Sequence, residues 1–361
     1  MHVSTTSVPM QISEQITAPK QLVEALPCSL QMSQTVAQAR ATFTRILRGE
    51  DTRLALIIGP CSVHDSAAAL EYAQRLKEVR ERYRDCLEII MRVYFEKPRS
   101  VVGWKGYISD PHLDGTGDIN EGLYRARALL RDIVALGVPP AVEFLDILSP
   151  HYLADLVAWG AIGARTTESQ VHRELASGLG CPIGFKNATS GDFNVAIDAV
   201  RAAAHSHRFI SINQDGRIGI ATTSGNPDGH IILRGGKTPN YDVNSIAAAS
   251  NLLQKANLYP RVIVDVSHGN SEKKPENQPK VAETVASYIS SGNWNILGLM
   301  VESHLEAGRQ DVVSVETLKY GQSITDGCIG WDVTLKVIQR LAEAARQRQK
   351  QGQPQLTVEE N

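Results

Sequence analysis

The feature that most constrains this chain is a rhythm. From Leu54 onward, short apolar runs alternate with amphipathic stretches of ten to twenty residues. The runs span 54–61, 87–95, 140–146, 161–165, 182–187, 230–236, 261–270 and 295–304, eight in all. Helical patterns such as SAAALEYAQRLKEVRERY (66–83) and EGLYRARALLRDIVALG (121–137) fall between them. Short, nearly continuous apolar strands separated by amphipathic helices imply a parallel sheet covered on both faces. Eight such units predict a (β/α)8 TIM barrel, with a doubly wound sheet as the alternative.

Three segments stand outside the repeat. Residues 1–50 read as an N-terminal arm, polar at first and then amphipathic in TVAQARATFTRILRGE. Nothing within a complete barrel obviously needs covering, so the arm is expected to cross to a neighbouring subunit and to serve regulation and oligomerisation. Residues 208–223, RFISINQDGRIGIATT, place an Asp-Gly turn between two short strands, a hairpin signal inserted between the fifth and sixth barrel strands. The barrel is expected over 51–342. A polar C-terminal tail, 343–361, is expected to end the last helix and then fray.

Composition narrows the partners. A formal net charge of −2 on 361 residues gives no reason to expect nucleic acid or membrane as the main partner. No stretch resembles a signal peptide or a membrane span. The five cysteines are widely spaced with no C-x-x-C pair, which fits a reduced, cytoplasmic protein.

The chemistry collects at the strand ends. The runs finish at or near Cys61, Arg92 and Lys97, Glu143, Arg165, Lys186, Arg234, His268 and Glu302. In a parallel barrel all these ends open on one face, where such folds place catalysis. Each residue alone has a plain explanation: a packed thiol, a solvated arginine, a turn histidine. Together they would form a costly arrangement without ligands. Arg92, Lys97, Arg165, Lys186 and Arg234, with Arg99 close behind, would repel one another unless a multiply anionic ligand lay among them. Arginine forks match phosphate and carboxylate oxygens. A phosphorylated carboxylic acid, or two phosphorylated substrates, suits them. Cys61, His268, Glu302 and Asp326 suit a borderline divalent metal such as Mn, Fe, Co or Zn.

The motifs IGPCS (58–62), RVYFEKPRS (92–100), GWKG (103–106), IGARTTESQ (162–170), GFKN (184–187), SGNPDGHIILRGG (224–236), DVSHGNS (265–271) and YGQSITDGCIGW (320–331) occur in this order. Together they resemble the type I 3-deoxy-D-arabino-heptulosonate-7-phosphate (DAHP) synthases, over about 41–341 and including the arm. The resemblance implies an aldol-like condensation of phosphoenolpyruvate with D-erythrose 4-phosphate, releasing phosphate, at the entry to aromatic amino acid biosynthesis. It implies that Cys61, His268, Glu302 and Asp326 bind one divalent ion. It also implies that Arg92, Arg165, Lys186 and Arg234 hold phosphoenolpyruvate, with Ala164 and Glu143 beside it. Lys97 would lie between the substrates, and Arg99 and Ser100 would bind the sugar phosphate, Ser100 replacing the usual Thr.

The same resemblance implies feedback inhibition by an aromatic amino acid at Pro150, Leu175, Leu179, Gly180, Phe209 and Ser211, with arm residues of a neighbouring subunit in a homodimer or homotetramer. Gly180, where some relatives carry Ser, leaves room for a larger ring or a phenol oxygen. Tyrosine is therefore expected ahead of phenylalanine, with tryptophan as a further option. The related octulosonate 8-phosphate synthases, which use arabinose 5-phosphate, are disfavoured by KPRS, the arm and the hairpin. A non-catalytic phosphometabolite sensor would have lost Lys97 or a metal ligand.

Overall fold

The computed structural model describes residues 12–99 and 101–353. Ser100 and the last residues of the expected tail lie outside them. All eight expected strands form and close into a parallel barrel: β1 (Leu54–Gly59), β2 (Leu87–Arg92), β3 (Pro140–Glu143), β4 (Trp159–Ile162), β5 (Ile183–Lys186), β8 (Gly229–Leu233), β9 (Val262–Asp265) and β10 (Ile296–Glu302). The order around the barrel is β1-β10-β9-β8-β5-β4-β3-β2. The hairpin is β6 (Arg208–Ile212) paired antiparallel with β7 (Ile218–Thr222), outside the barrel and between its fifth and sixth strands as expected. The fourth strand starts at Trp159 rather than Ala161, so Arg165 lies in the following loop rather than on the strand.

The barrel interior holds Ile57, Ile90, Trp159, Ile232, Ile263 and Met300 in one apolar cluster. Gly160 leaves space that larger residues take: a Cβ there would meet the Ile183 and Phe144 side chains at 2.5 and 2.8 Å. The cluster also takes in Phe43, Ile46 and Leu47 of helix α2 (Leu30–Arg48), all at 0–1% exposure. The α2 helix thus packs its apolar stripe into the barrel interior. Arg261 Nη1 donates to the Ile46 carbonyl at 2.7 Å and ties it there. This corrects the expectation that the arm has nothing to cover within its own barrel. A complete ring of strands still has an open end, and amphipathic periodicity says that a helix face is buried without saying against what.

The helix α1 (Pro19–Ala25) lies against helix α5 (Pro150–Leu153) on the outside. The last helix, α10 (Trp331–Lys350), continues well past residue 343, with Ala344, Ala345 and Arg348 buried. The packed part of the chain therefore extends beyond the expected boundary at 342, because that alanine pair keeps the apolar face going. All five cysteines are free, and no helix among the described residues is long and apolar enough to cross a membrane.

Replacing Phe43 by Ala should open a cavity at the α2–barrel contact and lower unfolding stability by about 3–5 kcal/mol, read by denaturant titration. A loss under ~1 kcal/mol would mean that α2 is not part of the core.

Candidate active site

Strand register explains how distant residues meet. Gly59 at the end of β1 lies beside Glu302 at the end of β10, so the turn through Pro60 brings Cys61 over the barrel mouth. Gly59 has φ +153°, and a Cβ there would sit 2.8 Å from the Arg92 carbonyl. The close approach of β1 to β2 needs its missing side chain. Cys61, Glu302 and Asp326 each offer a donor atom within 4.8 Å of the other two. His268 joins from the loop after β9, with Nε2 3.6 Å from Glu302 Oε1.

The neighbours of His268 fix its orientation. Nδ1 lies 2.8 Å from Asp265 Oδ2, while Ser267 donates its hydroxyl to the other oxygen of the same carboxylate. A ring nitrogen facing a carboxylate carries the proton, which leaves Nε2 as a lone pair aimed at the mouth. Burial alone would raise the Asp265 pKa, but His268, the Lys186 ammonium and the Ser267 hydroxyl together outweigh it and hold the carboxyl ionised. His268 has φ +53°, an uncommon backbone state for a non-glycine residue. Burial, aided by the Glu302 carboxylate, pushes the Cys61 thiol up to about 12. A thiol and two carboxylates this close, with an oriented imidazole beside them, form a soft-and-hard donor set suited to a borderline divalent cation. The residues present fit the ion that the sequence implies.

The cations lie against this donor set. Lys97 Nζ is 2.9 Å from Cys61 Sγ and 3.9 Å from Asp326 Oδ2. Burial works against charge on Lys97, but Cys61 and the carboxylates of Glu302 and Asp326 overcome it and raise its pKa. Arg92, 1% exposed, donates to Glu302 at 3.2 Å and keeps Nη1 buried without a partner. Lys186 pairs directly with Glu143, and burial of that carboxyl is outweighed by Lys186, which holds it ionised. These residues line one cleft of about 510 Å³ together with Arg99, Ala164, Arg165, Arg234, His268, Glu302 and Asp326. No carboxylate among the described residues pairs with Arg99, Arg165 or Arg234. The cleft is therefore built around three cation–carboxylate pairs, Arg92–Glu302, Lys186–Glu143 and Lys97–Asp326, and three unbalanced cations, a demand for an anionic ligand.

Apart from Ser100, the structure brings together every residue expected at the catalytic mouth. Tyr94 was not expected there. It lines the cleft, its hydroxyl is buried without a partner, and the Arg92 guanidinium lies 4.0 Å over its ring. Its only sequence signal was its place two residues after Arg92. Asp265 was missed too, although its i,i+3 spacing to His268 was legible.

A second pocket of about 670 Å³ lies outside the barrel. Pro150, Leu175, Leu179, Phe209 and Ser211 line it, as expected of one site, and Val23 of α1 joins from the same chain. His151, also on its wall, makes a 3.0 Å hydrogen bond with Ser211. Gly180 does not line it. A Cβ there would meet Arg40 at 3.3 Å, and Arg40 donates to the Val157 and Ala154 carbonyls. The space beside Gly180 faces the Arg40 guanidinium.

Comparison with known proteins identifies the family. The model of the DAHP synthetase I family matches residues 26–339. The chain is 54% identical to a Trp-sensitive phospho-2-dehydro-3-deoxyheptonate aldolase of Enterobacter agglomerans, over 91% of this chain and 95% of that one. It is 53% identical to the Phe-sensitive enzyme of Escherichia coli K12, over 93% and 96% respectively. The solved phospho-2-dehydro-3-deoxyheptonate aldolase of Francisella tularensis SCHU S4 superposes with a TM-score of 0.92 at 46% identity, covering 94% of this chain and 99% of that one.

Cys61 must lose its proton to hold a cation, so metal affinity should rise close to tenfold per pH unit between pH 6 and 8. Calorimetric titration with Mn²⁺ in buffers of different ionisation enthalpy should show about one proton released per ion. In Cys61→Ser the release should vanish and affinity should fall at least ~100-fold. Affinity independent of pH would contradict thiolate ligation.

Proposed function

We infer the activity from one premise: this chain belongs to the DAHP synthetase I family. It is a phospho-2-dehydro-3-deoxyheptonate aldolase, a transferase that condenses phosphoenolpyruvate with D-erythrose 4-phosphate to give DAHP and phosphate, and it is feedback-inhibited by an aromatic amino acid. The observation that carries this reading is the contact of Lys97 with Cys61. It joins the metal-donor set to the phosphate-ready cations in one cleft, where an aldehyde and an enol phosphate would have to meet.

Roles follow from position and charge. Arg165 and Arg234, without acid partners, hold the phosphate of phosphoenolpyruvate. Arg92, with its free Nη1, and Lys186 hold the carboxylate, while Glu143 balances Lys186 and Ala164 offers its backbone. Arg99, whose Nε donates to the Trp104 carbonyl at 2.7 Å, presents its remaining donors to the sugar phosphate; Ser100 joins it there. Cys61, His268, Glu302 and Asp326 hold one divalent ion, Mn, Co, Fe or Zn. When bound, it supplies Lewis-acid polarisation of the aldehyde oxygen. The double bond of phosphoenolpyruvate places C3 on the aldehyde carbon, water adds at C2, and phosphate departs by C–O cleavage. Lys97, kept an ammonium by its neighbours, is positioned to give its proton to the new hydroxyl.

The outer pocket receives the effector, an aromatic amino acid, with its ring against Leu175, Leu179 and Phe209. The His151–Ser211 pair on the pocket wall favours a ring with a polar atom, which supports tyrosine ahead of phenylalanine, with tryptophan also accommodated. Of the arm over 1–50 that is proposed to cross between subunits of a homodimer or homotetramer, residues 1–11 lie outside the described residues. A cytoplasmic location suits the five free thiols.

Loss of phosphoenolpyruvate absorbance should require erythrose 4-phosphate and a divalent ion, stop on chelation and return on metal addition. Equal turnover with arabinose 5-phosphate, or none with any metal, would contradict the assignment. Lys97→Ala should lower kcat by ~10³ or more, with metal binding by calorimetry retained.

A further inference from the structure

Two motifs contain a residue that the reaction has not used: Asn187 closes GFKN, and Asn270 lies in DVSHGNS. Asn240 joins them from the loop after β8. Asn187, Asn270 and Asn240 are buried, at 0%, 2% and 6% exposure respectively, and none lines the cleft. A buried amide is costly unless its hydrogen bonds are met. Here they are met by one another and by the main chain of the loops that carry the functional side chains.

Asn187 directly follows Lys186 at the end of β5. Its Oδ1 accepts from the Arg234 backbone N–H at 2.8 Å and from Asn240 Nδ2 at 3.2 Å. Its Nδ2 donates to the Ala188 and Gly235 carbonyls at 2.8 and 3.0 Å. Asn240 Oδ1 accepts from the Gly235 N–H at 2.7 Å, and the Asn240 backbone N–H donates to Asn270 Oδ1 at 2.8 Å. Asn270 Nδ2 then donates to the Leu233 and Asp265 carbonyls at 3.0 and 2.7 Å. The bonds thus run from the end of β5 across the loop after β8 to the end of β9. They tie down the backbone of Arg234 and of Asp265, whose carboxylate orients His268.

Glycines let the same loops touch. Gly235 has φ +75°, and a Cβ there would lie 2.5 Å from the Gly269 carbonyl carbon. The Gly269 N–H donates to the Arg234 carbonyl at 3.0 Å. The Arg234 guanidinium has no carboxylate partner among the described residues, and bonds only the Gly235 carbonyl among them, at 3.3 Å. Its aim into the cleft is therefore set by its backbone, and amides hold that backbone. Of the uncharged side chains, only an amide offers two donors and an acceptor at one end.

We propose that Asn187, Asn240 and Asn270 are positioning residues, a buried amide relay that holds Arg234 for the phosphate of phosphoenolpyruvate and the Asp265–His268 pair for the metal as one unit. The inference rests on the reading of the cleft as the phosphoenolpyruvate site. Arg99, which faces the sugar phosphate, hydrogen-bonds the Trp104 carbonyl instead, so its subsite does not depend on the relay. Amides that only stabilised the fold would change Tm and leave the balance between the two substrates untouched.

The test uses the full-length enzyme with Mn²⁺ and reads KM for each substrate, calorimetric Kd for phosphoenolpyruvate and for Mn²⁺, and Tm. Asn240→Ala should raise KM and Kd for phosphoenolpyruvate by ~10-fold or more, with KM for erythrose 4-phosphate within about twofold of the parent. Asn270→Ala tests the relay even if Asn240→Ala does not fold. It frees the Asp265 carbonyl and should weaken Mn²⁺ as well as phosphoenolpyruvate by ~10-fold or more. Because the amides act as one unit, the double variant should bind phosphoenolpyruvate within about twofold of the weaker single variant. Folded variants with a lowered Tm but phosphoenolpyruvate Kd within about twofold of the parent would overturn the positioning role, and so would equal rises in both KM values. Unchanged Mn²⁺ affinity in Asn270→Ala would overturn the link to His268. A parent enzyme that binds no phosphoenolpyruvate would overturn the reading of the cleft itself, and the relay with it.

Discussion

The mouth of this barrel is governed by like-charge repulsion. Parallel closure brings Arg92, Lys97, Arg99, Arg165, Lys186 and Arg234 to one cleft. Bringing so many cations together is tolerable only where acids or ligands balance them. Glu302 balances Arg92, Glu143 balances Lys186, and Asp326 lies beside Lys97. Removing one partner of such a buried pair would cost about 3–5 kcal/mol by stranding the other charge. Two of these acids, Glu302 and Asp326, are also the donors nearest Cys61. The acids that allow the cation array to exist are thus the acids that prepare a metal site, so the two halves of the chemistry depend on each other.

The rest of the molecule holds that mouth in place. The Ala55–Gly59 stretch of β1 pairs with Gly298–Glu302 of β10 without interruption, and this register fixes Cys61 relative to Glu302. The α2 helix packs into the barrel with Phe43 and Leu47 fully buried, so the N-terminal arm contributes to the barrel's own core as well as to the wall of the outer pocket through Val23. The barrel's core and the wall of the outer pocket thus share one stretch of chain. Arg127 reinforces this: it donates to the Leu26 carbonyl after α1 and pairs with Asp155, which lines the outer pocket.

Much of the site was legible in the sequence for a topological reason. In a parallel barrel the last residue of every strand faces the same opening, so apolar runs that end in Cys61, Arg92, Glu143, Lys186 or Glu302 announce a shared cleft before any contact is known. Residues inside or just beside the runs were less legible. Tyr94 sits within Val93-Tyr94-Phe95 and reads as core. Asp265 sits at the end of β9 and reads as an ordinary polar terminator until its carboxylate is found on His268. The offset at β4 arose because Trp159-Gly160-Ala161-Ile162 carries little apolar periodicity of its own. Its Trp side chain is accommodated by Gly184, where a Cβ would come within 2.6 Å of the indole, which only three-dimensional packing reveals. The surroundings of Gly180 were illegible for a similar reason: Arg40, 140 positions away in sequence, lies beside it.

The central claim is that four donors from separate strand ends take one ion directly beside a cation array that binds the enol phosphate. Anomalous diffraction from crystals grown with Mn²⁺ and phosphoenolpyruvate tests it most directly. The account predicts a single strong peak bonded to Cys61 Sγ, His268 Nε2 and the carboxylates of Glu302 and Asp326, with the phosphate between Arg165 and Arg234. A peak elsewhere, or an ion in the mouth that leaves Cys61 unliganded, would contradict it.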